Sequence, residues 1–86
     1  MYLHLGQSVV VPHRDVIGIF DLDNTTASRL TRAFLERAER EGEVVDVSMD
    51  LPKSFVVCQS DLGPLVYLSQ LSSSALRGRA ENNSFE

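Results

Sequence analysis

Short apolar runs separated by turn residues dominate this chain, and one longer stretch repeats its apolar positions at helical spacing. Residues 2–5, 8–11, 15–20, 44–47, 54–58 and 65–68 read as strands, rich in Val, Ile, Leu and Phe and short enough for a small sheet. Gly6-Gln7 makes a tight turn between the first two, and Pro12 ends the second. In the third run Gly18 allows either close packing or a bend. Gln59-Ser60-Asp61 and Gly63-Pro64 interrupt the pattern before Leu65, so the last two runs are predicted neighbours across a turn.

The helical stretch begins at Asp23-Asn24-Thr25-Thr26, a turn leading into a cap that Thr25, Thr26 or Ser28 would supply. Ala27, Leu30, Phe34 and Ala38 then recur at spacings of three, four and four, with Leu35 widening the stripe. Gly42 is a credible stop because it tolerates a left-handed backbone. Arg29, Arg32, Glu36, Glu39 and Arg40 form the solvated side, where Arg32–Glu36 and Glu36–Arg40 stand four apart and can meet. Residues 72–81 predict a short terminal helix, weakened by Gly78 and docked through Leu76.

These elements predict an α+β fold: a small, highly curved, mostly antiparallel sheet of five or six strands, one main helix and a short C-terminal helix. A single domain spans residues 1–81, with 82–86 a frayed tail. Several strands are apolar on both faces, more than 86 residues can easily cover, which points to self-association.

The apolar share of 43% excludes a wholly disordered chain. No apolar run nears the roughly 18 residues that cross a bilayer, and the start lacks a signal-peptide pattern, so a cytoplasmic protein without a membrane partner is expected. The lone Cys58 has no internal disulfide partner and reads as core filler within Phe55-Val56-Val57-Cys58. A net charge of −4 opposes phosphate at long range, so any nucleic-acid surface must come from segregated basic residues.

Catalytic constellations are hard to find. His4 and His13 have no ligand partners at metal-site spacing, and His4 reads as a structural strand residue. Asp21-Leu22-Asp23-Asn24 lacks the rest of a calcium loop and is better explained as turn chemistry before a helix. Ser72-Ser73-Ser74 has no nucleophile elbow, and the five glycines form no nucleotide-binding loop. No enzyme, cofactor or metal site is therefore expected. The basic residues Arg14, Lys53, Arg77 and Arg79 divide between solubility charges and phosphate contacts.

The order of motifs resembles a known family. Met1-Tyr2-Leu3-His4-Leu5-Gly6, Arg14-Asp15-Val16-Ile17-Gly18-Ile19-Phe20-Asp21, Pro52-Lys53-Ser54-Phe55-Val56-Val57 and the closing Leu68-Ser69-Gln70-Leu71-Ser72-Ser73-Ser74-Ala75-Leu76-Arg77-Gly78-Arg79 are similar to the bacterial extracellular-matrix regulatory proteins, their shorter B-type branch in particular. The resemblance covers residues 1 to about 81. It implies a cytoplasmic regulator of matrix or biofilm genes that assembles into a homo-oligomeric ring and binds duplex DNA. Arg14 matches an arginine after the second strand that belongs to the basic surface of the A-type branch. Where that branch carries two arginines before a later strand, this chain has Leu51-Pro52-Lys53, with one cation. On this reading Arg14 and Lys53 clamp phosphate, His13 donates a hydrogen bond, and Arg29 and Arg32 reinforce the surface. The alternative is an oligomeric protein-binding adaptor that is not an enzyme. Convergence of Arg14 and Lys53 on one open face favours DNA, whereas an acidic face with an apolar groove favours the adaptor, which would use sheet residues and the terminal Leu76 segment.

Overall fold

The computed structural model describes residues 2–22 and 29–82, with the side chains of residues 81 and 82 left aside. The candidate cap residues Thr25, Thr26 and Ser28, the stripe residue Ala27, the turn residues Asp23 and Asn24, and positions 83–86 of the expected tail lie outside the described residues. The strands are β1 (Tyr2–Gly6), β2 (Val9–Pro12), β3 (Val16–Asp21), β4 (Val44–Asp46), β5 (Ser54–Ser60) and β6 (Gly63–Ser69). A single 3-10 turn, His13–Asp15, links β2 to β3. The helices are α1 (Arg29–Arg40) and α2 (Ser73–Asn82).

The class is α+β as expected, but the six strands divide between two sheets. β1 and β2 form an antiparallel hairpin of their own, and the larger sheet has the order β3-β5-β6-β4. All pairings in it are antiparallel except β4 with β6. The hairpin turns through Gln7 and Ser8, both at positive φ (48° and 73°), the signs required by a two-residue turn that follows strand twist.

β5 lies inside the larger sheet and is apolar on both faces because both are covered. Val56 and Cys58 face Leu3, Leu5, Val11, Ile19 and Leu76, a core shared by the hairpin and α2. Phe55 faces the other way, toward Ala38 of α1 and Val66. The molecule therefore has three layers, with hairpin and α2 on one side of the larger sheet and α1 on the other. Leu76 is fully buried, which explains why a helix interrupted by Gly78 stays docked.

Side-chain hydroxyls clasp these layers. The buried Ser69 donates from Oγ to the Leu5 carbonyl at 2.8 Å and accepts from the Leu71 N–H at 3.1 Å. Gln7 Nε2 donates to the Val47 carbonyl at 2.6 Å, tying the hairpin turn to the strand connection after β4.

Helix α1 ends as its glycine predicts. Gly42 has φ +72°, its N–H donates to the Glu39 carbonyl, and the Glu43 N–H reaches back to the Ala38 carbonyl, the paired bonds of a Schellman motif. Two expectations for α1 need correction. Leu30 is 83% exposed and does not join the packed stripe of Phe34, Leu35 and Ala38. No ion pair joins Arg32 to Glu36 or Glu36 to Arg40, whereas Arg14 pairs with Asp15.

Gly18 serves both roles expected of it. The β3–β5 register shifts between Val16 and Gly18, and a Cβ on Gly18 would stand 2.7 Å from the Phe20 ring. That ring stacks on Phe55 with centroids 5.1 Å apart. Among the described residues no helix is long and apolar enough to cross a membrane.

Candidate nucleic-acid interface

The 3-10 turn projects Arg14 from the start of β3, its side chain 85% exposed and its Nε 4.0 Å from Asp15 Oδ1. So long and open a contact holds the guanidinium loosely, leaving its hydrogen-bonding fork available. His13 precedes it in the same turn, half-buried.

Lys53 sits at the other end of the sheet. Its backbone is fixed, with the N–H donating to the Ser69 carbonyl at 2.8 Å and the carbonyl accepting from the Leu22 N–H at 3.0 Å, while its side chain is exposed. Strand register measures the separation: Val16 pairs with Cys58, whereas Asp21 pairs with Ser54. Arg14 and Lys53 therefore flank opposite ends of the β3–β5 pair, about 20 Å apart at ~3.3 Å per residue. The common rim expected of them does not exist within one copy.

The structure instead brings Lys53 and Arg32 together. Both line an open cleft of about 600 Å³ between α1 and the end of the sheet, with an apolar lining that includes Leu22, Leu35, Leu51 and Leu68. Glu36 and Glu39 share its α1 wall, so the rim carries both signs of charge. Arg29 is exposed at the first described turn of α1 and does not line the cleft.

Arg77 and Arg79 have structural contacts. Arg77 donates to the Ile19 carbonyl at 2.6 Å, and Arg79 makes a longer 3.5 Å contact with the His4 carbonyl. Arg77 thus ties α2 to β3, an end strand of the larger sheet.

Cys58 is buried, and burial, followed by the nearby Asp15 charge, pushes its thiol up to about 11. Tyr67 is raised too, by burial first and then by Cys58 and Asp15. Neither group is thereby tuned as a nucleophile near neutrality. Among the described residues no cluster of His, Cys, Asp or Glu is placed to hold a metal ion.

This scaffold has known relatives. The extracellular matrix regulatory protein A-like family matches residues 2–80, nearly the whole chain. The chain belongs to that family. Over 81 residues it is 40% identical to the extracellular matrix regulatory protein B of Bacillus subtilis (strain 168), covering 94% of this chain and 91% of the relative. The matched span of this family member includes both the Arg14 turn and the Lys53 loop.

Sequence reasoning missed three surface features. One is the cleft; the second is a smaller apolar groove of about 340 Å³ where Ile17, Phe20 and Leu30 stand beside Phe34, Phe55 and Val57. The third is Leu62, 99% exposed at the tip of the β5–β6 hairpin. A leucine inside Ser60-Asp61-Leu62-Gly63, where turn residues predominate, was the available signal for it.

Proposed function

We propose that this chain is a transcriptional regulator of extracellular-matrix or biofilm genes, acting in the cytoplasm as a homo-oligomeric ring that contacts the phosphates of duplex DNA. The observation that carries the reading is Arg14, held on a short turn between two strands with its guanidinium almost wholly in solvent. Its family and its relative are named as matrix regulatory proteins, which supports the regulatory part.

Chemically, Arg14 supplies a fork of donors to a phosphate, and Lys53 and Arg32 supply a second cationic point. His13 adds a hydrogen-bond donor beside Arg14, and Arg29 extends the basic surface along α1. One copy with a net charge of −4 and two separated basic points binds weakly. Several copies on one duplex multiply weak contacts through effective concentration. Such contacts position DNA, while the cost of deforming it supplies sequence preference.

The test is duplex binding by fluorescence anisotropy over a salt series, for the wild type and for an Arg14→Ala, Lys53→Ala double variant. The wild type should weaken steeply with salt, and the double variant should bind less tightly with a shallower slope. Equal affinity and slope for both proteins would remove these residues from the interface. The protein-binding adaptor is favoured by one observation, the apolar groove beside Phe20 and Leu30. Wild-type protein that ignores duplex even at low salt would give that reading precedence.

A further inference from the structure

The β1–β2 hairpin buries one face and turns the other to solvent. Leu3, Leu5 and Val11 point into the core beneath it. Strand alternation sends Tyr2, His4 and Val10 the opposite way, and Tyr2 is 55% exposed. Register pairs Tyr2 with Pro12 and His4 with Val10, so these four residues share the outer face. Each ring therefore stands beside a stiff neighbour, a proline or a β-branched valine, which limits the ways it can lie. None of the four carries a carboxylate, in a chain whose acids outnumber its bases by twelve to eight.

Cations stand at both ends of this strip. Pro12 leads directly into the 3-10 turn, so His13 and Arg14 follow at the Tyr2 end, where the Arg14 side chain is held only by its long contact with Asp15. At the His4 end the exposed Arg79 of α2 reaches β1, its Nη1 3.5 Å from the His4 carbonyl. Tyr2 and His4 lie two residues apart on one strand, which sets the origins of their side chains about 7 Å apart. That spacing leaves room for a separate flat partner on each ring.

We infer that this outer face binds single-stranded nucleic acid, with Tyr2 and His4 each stacking on one base and Arg14 and Arg79 holding the phosphates on either side. The flanking cations call for an anion, and the rings call for flat partners. A duplex keeps its base faces stacked on one another, whereas an unpaired strand opens them to aromatic side chains. A protein partner would be better served by an aliphatic surface, and of these four residues Val10 alone has an aliphatic chain free of the backbone. The site goes beyond the duplex reading and shares one residue with it. Arg14 donates to a phosphate in either ligand, so single strand and duplex exclude each other at that guanidinium. Lys53 lies at the far end of the larger sheet and takes no part. Stacking tolerates any base, so this face distinguishes unpaired from paired strands more than one sequence from another.

The test is fluorescence anisotropy of the full chain with labelled oligothymidylate and oligouridylate, run beside the duplex. The wild type should bind a single strand with an affinity that falls as salt rises. A Tyr2→Ala, His4→Ala double variant should lose at least about tenfold on the single strand while keeping its duplex affinity and the wild-type circular dichroism. Tyr2→Phe keeps a ring and should bind as the wild type does. The chain has no tryptophan, so tyrosine emission reports the stacking. Unlabelled oligothymidylate should quench it in the wild type and leave it unchanged in Tyr2→Phe. Tighter binding of oligouridylate supports the site and assigns it to RNA, and tighter binding of oligothymidylate supports it and assigns it to DNA. Single-strand affinity unchanged in the double variant, an equal loss on the duplex, or a wild type that ignores both homopolymers at low salt overturns the inference. Salt-dependent duplex binding by the wild type would still leave the duplex reading standing. A wild type that takes a single strand through Tyr2 and ignores duplex keeps this face and overturns the duplex reading.

Discussion

Replacing Ser69 by alanine removes one hydroxyl and should cost more than any other serine truncation in the described chain. Ser69 is fully buried, and its Oγ serves two backbone groups, the Leu5 carbonyl at 2.8 Å and the Leu71 N–H at 3.1 Å. Leu5 falls where the hairpin register shifts between His4 and Gly6, so the clasp holds β1 onto the larger sheet at an irregular point. Each group left without a partner in the interior costs about 1–3 kcal/mol, giving roughly 2–6 kcal/mol for the pair. A domain of this size loses about 4–8 °C in Tm per kcal/mol, so a drop of at least about 8 °C is expected. The assay is thermal melting by circular dichroism at one fixed protein concentration, because assembly would otherwise shift the midpoint. Ser72→Ala is the comparison: its Oγ accepts the Ala75 N–H at 3.1 Å as an exposed helix cap, worth about 1 kcal/mol. A Ser69→Ala Tm within a few degrees of wild type, or equal to that of Ser72→Ala, would refute the clasp.

Other outcomes follow from the same structure. Cys58 ionises near 9 when unfolded and near 11 when folded, so its contribution is intact below pH 9 and is lost as pH rises toward 11. The full loss is roughly 2–3 kcal/mol, read as the difference in urea stability between wild type and Cys58→Ala from pH 8 to 11, and equal slopes for the two would contradict it. Ser8→Gly should stabilise by about 0.5–1 kcal/mol in a urea melt, because Ser8 is exposed and held at φ 73°. A destabilised Ser8→Gly would mean that the serine side chain supports the turn.

Much of this architecture was legible because its strands are made of β-branched and aromatic runs bounded by Gly, Pro and polar residues. The predicted strand limits fall within about two residues of those observed. Gly42 marked the end of α1, and Leu76 marked the buried face of α2. The division into two sheets was not legible, because a local pattern fixes a strand but not its neighbour. Nor was the parallel pairing of β4 with β6, a contact made after the chain has passed through β5. Helical spacing placed Leu30 on the apolar stripe; the structure leaves it beside the groove, because the packed face of α1 is that of Phe34, Leu35 and Ala38. The candidate site was legible as residue types only. Arg14 and Lys53 were recognisable as exposed cations, but their separation is a consequence of antiparallel register. The use of Arg77 on the Ile19 carbonyl is likewise a tertiary contact across 58 positions.

The most direct measurement of the central claim is the mass of the protein alone and on a duplex, by multi-angle light scattering at low salt. With a subunit of 9.6 kDa, the account predicts a free species of several copies and a complex in which that whole assembly occupies one duplex. A free mass of one subunit that stays at one subunit per duplex would contradict it.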